Sequence, residues 1–176
     1  ASPNSSDLYG VRWIKADDVF KTYRDTILLV DKGQKEVSST VGHNLMHNHP
    51  FAENRFAQAK AHYRALLTIL EMGDMDGFSD LVELEALSLH AMMLTSTPYY
   101  ILMHPNTIQI IQEVRRYRKT TGLHLTFTLD AGANVHLLYP AHEAEKVDQF
   151  IASDLRKYCQ DNELIYDRVG TGLKKV

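Results

Sequence analysis

The sequence predicts an α+β domain with helices packed on one face of a mostly antiparallel sheet. Two observations lead there. Short β-prone runs stand near the start, in the middle and at the end of the chain, and longer segments of helical periodicity lie between them, with no repeat or low-complexity tract. Residues 25–31 read as a buried strand, Lys32, Gly33 and Gln34 as a turn, and residues 35–38 as a second short strand leading past Ser39 and Thr40 into a helical segment. From Phe51 to about Met72, the apolar positions Phe56, Ala59, Tyr63, Leu66, Leu67 and Leu70 recur at helical spacing, and Gly73 ends the run. Asp76 is the expected N-cap of the next helix, with Phe78, Leu81, Val82, Leu84, Leu87 and Ala91 inward. A third helix opens at Pro105-Asn106, places Ile108, Ile111 and Val114 on one side and stops around Gly122. A hairpin around Asp130 follows. Pro140 then starts a fourth helix with Val147, Phe150, Ile151, Leu155 and Tyr158 inward, and residues 164–169 close the chain as a strand.

A chain of 176 residues with 44% apolar content is long enough to bury a real core. Residues 1–24 open with a small, polar stretch and are expected to be a linker or the edge of a preceding domain, leaving 25–176 as the folded domain. A formal charge of -3 and a pI near 6.3 give no reason to expect nucleic-acid binding. The basic run Arg115-Arg116-Tyr117-Arg118-Lys119 reads as a solvated helix end, where cations complement the macrodipole. The single cysteine, Cys159, rules out an intrachain disulfide and fits a reducing compartment. No apolar stretch approaches the roughly 20 residues that cross a bilayer, and the N-terminal residues lack a signal-peptide profile. A cytoplasmic protein without membrane contact is the expectation.

Chemistry is sought at Thr126-Phe127-Thr128-Leu129-Asp130-Ala131-Gly132-Ala133-Asn134-Val135, where an alternating β-prone run delivers one carboxylate into a Gly-containing turn. On local sequence alone, Asp130 reads first as a hairpin aspartate accepting the amide of Gly132 or Ala133. The functional alternative is a carboxylate held at a strand end for proton transfer, with Gly132 letting backbone N–H groups approach a phosphate. Ser39 and Thr40 likewise read first as an ordinary N-cap and second as an anion site at a helix N-terminus. His43, His47 and His49 lack nearby Cys or acidic ligands and read as surface histidines, so no metal site is expected. His90 reads as a buried imidazole satisfied by a backbone carbonyl. Met92, Met93, Met103, Tyr99 and Tyr100 fill a core or a domain interface.

The Asp-Ala-Gly-Ala-Asn loop after a Thr-Phe-Thr run resembles the Asp-Ala-Gly-Pro-Asn loop of mevalonate diphosphate decarboxylases, of the GHMP kinase superfamily. Upstream, Ser38-Ser39-Thr40-Val41-Gly42 resembles their Ser-Thr-x-Gly segment, and Leu84-Glu85-Ala86-Leu87-Ser88-Leu89-His90-Ala91 is similar to their helix ending in His-Ala. The similarity runs from about Asp25 onward but covers only the C-terminal half of the family's protein. The family's Gly/Ser-rich nucleotide loop and its early Tyr-Trp-Gly-Lys segment are absent from this sequence. Ala133 stands where the family has Pro, Thr40 where some bacterial members have Arg, and His43 where typical members have Met.

The resemblance implies a GHMP-kinase C-terminal-type domain. It also implies participation in ATP-dependent decarboxylation of mevalonate diphosphate to isopentenyl diphosphate, ADP, phosphate and CO2, in the mevalonate route to isoprenoids. Asp130 would orient or deprotonate the tertiary hydroxyl; Ser39, Thr40 and Gly132 would contact substrate; Ser88, His90 and Asn134 would support them. ATP and Mg²⁺ would be held mainly by an N-terminal domain of the same protein, so this segment alone is expected to be inactive. Self-association as a homodimer is kept among the expected partners. Two other readings stay open: a non-catalytic binding or subunit-interaction domain, and another GHMP small-metabolite kinase.

Overall fold

The computed structural model describes residues 14–33 and 49–170. The expected strand at 35–38, Ser39, Thr40, His43 and His47 lie outside the described residues. Among those described, four strands form one antiparallel sheet: β1 (Arg24–Leu28), β2 (Thr126–Leu129), β3 (Val135–Tyr139) and β4 (Leu164–Arg168), in the order β2-β3-β1-β4. The main helices are α1 (Ala52–Met72), α2 (Met75–Leu94), α3 (Pro105–Thr121) and α4 (Ala144–Phe150), the last continuing through a π turn (Ile151–Leu155) and a 3-10 turn (Arg156–Tyr158). With α3 and α4 as crossovers, this is the β-α-β-β-α-β arrangement of ferredoxin-like folds, enlarged by α1 and α2.

Register explains which faces are buried. Phe127 pairs with Leu137 and Leu129 with Val135, while Thr26 and Leu28 of β1 meet the same two β3 residues. One sheet face therefore carries Leu28, Phe127, Leu129, Val135 and Leu137, all buried against Ile110, Ile111 and Val114 of α3 and Val147, Phe150, Ile151 and Leu155. Tyr117 of α3 stacks on Phe150 with ring centroids 3.9 Å apart, locking the two crossovers together. Burial of the Phe127 side chain alone stabilises the fold by about 1.5–3 kcal/mol.

Both expected helix stops hold. Gly73 and Gly122 take left-handed φ values of 72° and 71°, which a side chain would oppose, and their amides cap Ile69 and Arg118. Three other expectations are corrected. The N-cap of α2 is Asp74, whose carboxylate accepts the Gly77 amide, and Asp76 lies in the first turn. The buried stripe of α2 is Ser79, Glu83, Ala86, His90 and Met93, whereas Leu84, Leu87 and Ala91 are exposed. Polar bonds turned the helix: Glu83 pairs with Arg118 and accepts the Thr126 hydroxyl at 2.9 Å, so this side and not the more apolar one meets β2. Ile108 of α3 is also exposed, its inward place taken by Thr107 and Ile110.

Residues upstream of 25 join the packed fold. Phe20 and Tyr23 are buried, and their rings gather with Phe78 at 5.0–5.4 Å. The Asp17 amide donates to the Leu70 carbonyl of α1 at 2.8 Å. No described helix is long and apolar enough to cross a membrane.

Candidate active site

β1 and β2 both pair antiparallel with β3, so they run in the same direction and release their C-terminal ends at one end of the sheet. Each is followed by an Asp-x-Gly segment: Asp31-Lys32-Gly33 after β1, and Asp130-Ala131-Gly132 after β2. The two segments face across a cavity of about 110 Å³, closed by Ile101, Leu102 and His104 and by Ala133 and Asn134. Asp130, Gly132 and Asn134, chosen from sequence, thus meet in one place. Asp31, His104 and Ile101 join them unforeseen.

Asp130 is exposed toward this cavity while its backbone is gripped from behind. His90, only 2% exposed on α2, approaches the Asp130 carbonyl through Nε2 at 3.0 Å. A carbonyl can only accept, so Nε2 carries the proton. Burial pushes the His90 imidazole below its ordinary pKa, outweighing the upward pull of that carbonyl and of the Asp130 charge. The Gly132 amide donates to the same carbonyl at 2.8 Å, not to the Asp130 carboxylate, so it is already engaged within the loop. Asn134 closes the far side, its Oδ1 accepting the Asp31 amide at 2.9 Å.

Asp31 itself accepts the Gly33 amide at 2.8 Å and lies 3.8 Å from His104 Nε2. His104 is the N-cap residue of α3, and its amide donates to the Thr107 hydroxyl at 3.1 Å. Among the described residues, the lining combines two carboxylates, one imidazole and an apolar wall, with no Lys or Arg. Such a surface suits the uncharged, hydroxyl-bearing part of a substrate and repels its phosphates.

Ser88 is elsewhere. It lines a groove between α1 and α2 with Phe51, Asn54, Arg55 and Gln58, because residues two apart on a helix point about 200° from one another. His49, the described member of the histidine trio, accepts the Phe51 amide at Nδ1 and contacts the Thr95 hydroxyl through Nε2, so both ring nitrogens are used in joining α1 to the end of α2.

Residues 26–172, most of the chain, match the mevalonate 5-diphosphate decarboxylase C-terminal domain. The chain belongs to that family. The decarboxylase fold is seen in the mevalonate pyrophosphate decarboxylase of Streptococcus pyogenes, with TM-score 0.79 and 21% identity over 93% of this chain and 48% of that one. The mevalonate diphosphate decarboxylase of Legionella pneumophila is similar at TM-score 0.77 and 26% identity, covering 86% of this chain and 47% of that one. In sequence, the phosphomevalonate decarboxylase of Haloferax volcanii is 28% identical over 98 residues, which is 56% of this chain and 30% of that protein. The decarboxylase domain described here therefore spans about half the length of the solved relatives. These relatives are decarboxylases, which gives no support to a non-catalytic interaction domain or to a kinase that stops at phosphorylation.

Proposed function

We propose that this chain is the Asp130-bearing part of an ATP-dependent decarboxylase that converts mevalonate diphosphate to isopentenyl diphosphate, ADP, phosphate and CO2. The observation that carries the reading is the placement of Asp130: a carboxylate open to a cavity, on a loop whose backbone is fixed by a buried histidine. In this role Asp130 orients the tertiary hydroxyl of the substrate and takes its proton as phosphoryl transfer proceeds. A tertiary alcohol is a weak acid, so the benefit comes mainly from positioning. Once that proton has passed on to solvent, the regained carboxylate stabilises the positive charge that develops at the carbon as phosphate departs. The apolar wall of Ile101, Leu102 and Ala131 suits the alkyl part of that carbon centre.

The described residues fit neither Mg²⁺ nor a nucleotide triphosphate. No three His, Cys, Asp or Glu side chains converge among them, and no Lys or Arg among them lines the cavity. The ligands of Mg²⁺ and ATP are proposed to lie in an N-terminal domain of the intact protein, with Ser39 and Thr40 contacting the substrate phosphates.

A second reading of the substrate rests on the Haloferax volcanii relative, whose name specifies phosphomevalonate. Both are tested together by supplying the full-length protein with ATP and either mevalonate diphosphate or phosphomevalonate, and measuring ADP and CO2. Equal release of both products from the diphosphate is expected. Preference for the monophosphate moves the assignment to the second substrate, and ADP without CO2 contradicts decarboxylation.

A further inference from the structure

We infer that Thr107 is a positioning residue for Asp130, acting through a hydroxyl that bolts the catalytic loop to the N-terminus of α3. The inference rests on the role proposed above for Asp130. Thr107 is 0% exposed, and its Oγ1 stands between two walls of the cavity. It donates to the carbonyl of Ala133 at 2.6 Å and accepts the amide of His104 at 3.1 Å. A hydroxyl has one proton to give, and here it goes to the loop and not back into the helix.

The loop needs this restraint. Neither Gly132 nor Ala133 has a ring or a β-branched side chain to limit its backbone angles. Its first residue is fixed by His90 from α2, and its last by Asn134 against the amide of Asp31. Thr107 supplies the attachment between them, from a third element, and that element is anchored in the core through Ile110, Ile111 and Val114. Because the same hydroxyl also holds His104, the loop and the imidazole wall move as one unit. A displacement of about 1 Å in a catalytic group can lower turnover by about 100-fold.

The test compares full-length Thr107→Val, Thr107→Ser, Asp130→Asn and Thr26→Val. Thr26→Val is the stability control, since it removes an equally buried hydroxyl, hydrogen-bonded to Tyr139 at 2.7 Å, from the body of the sheet. Thr107→Val is expected to lower kcat by about 10–100-fold with KM little changed, Thr107→Ser to restore most of it, and Thr26→Val to lose thermal stability while keeping kcat. If Thr107→Val keeps wild-type kcat, or if Thr26→Val loses as much kcat for a similar fall in melting temperature, the positioning role is overturned. Full activity of Asp130→Asn would instead overturn the assignment of Asp130 itself.

Discussion

Among the described residues, α3 buries Thr107, Ile110, Ile111 and Val114, whereas α1, 21 residues long, buries none. Phe56 and Tyr63 of α1 are each 50% exposed, and its hold on α2 comes from half-buried leucines and from Arg55 and His62 meeting Glu85. The difference teaches where the candidate site takes its rigidity. The loop carrying Asp130 is attached to a helix anchored in the core, so its geometry inherits the stiffness of that core. No residue of α1 is among the described residues that line the cavity.

Substitutions sharpen this contrast. Phe127→Ala, beneath α3, is expected to destabilise the fold by about 3–5 kcal/mol in urea unfolding, through lost transfer energy and the cavity left behind. Next comes Glu83→Gln, which leaves Arg118 partly buried opposite a neutral amide; a loss of about 2–3 kcal/mol is expected, below the full range for buried pairs because the Arg118 side chain is 24% exposed. Phe56→Ser on α1 should change stability by no more than about 0.5 kcal/mol. A loss of several kcal/mol there would break the comparison, because it would mean that α1 is as firmly built in as α3.

The pH response adds a fourth test, directed at the attachment of the loop through His90. Burial holds the folded His90 pKa below its ordinary 6.5, so the unfolded chain binds a proton that the folded chain refuses. The stability this confers is complete above about pH 6.5 and is lost as pH falls from there toward the folded pKa. Melting temperature should therefore drop across that window. His90→Gln should flatten the drop, and an unchanged slope would show that His90 does not titrate as its burial requires.

Much of the fold could be read from the chain. The apolar spacing of α4 and, Ile108 apart, of α3, the glycines that stop α1 and α3, and the alternation of β2 are local signals, and the structure follows them. The inward face of α2 could not be read this way, because hydrophobic pattern favoured Leu84 and Leu87 while the pairing of Glu83 with Arg118 and Thr126 turned the other side to the sheet. Those partners lie 35 and 43 positions away. In the site, Asp130 announced itself as a carboxylate ending an apolar run before glycine. Asp31 carries the same Asp-x-Gly signature after its own strand. Thr107 and His104 had no such signal, since a threonine in the first turn of a helix is ordinary and only the return of the hairpin brings Ala133 to it.

The central claim, that Asp130 acts on the substrate hydroxyl, is tested most directly by comparing wild-type and Asp130→Asn full-length protein in single turnover, with ATP and substrate binding measured on the same samples. The account predicts that the amide, which keeps the size and loses the charge and basicity, binds ATP normally and releases CO2 at least about 1,000-fold more slowly. Release of ADP and CO2 at the wild-type rate would contradict it.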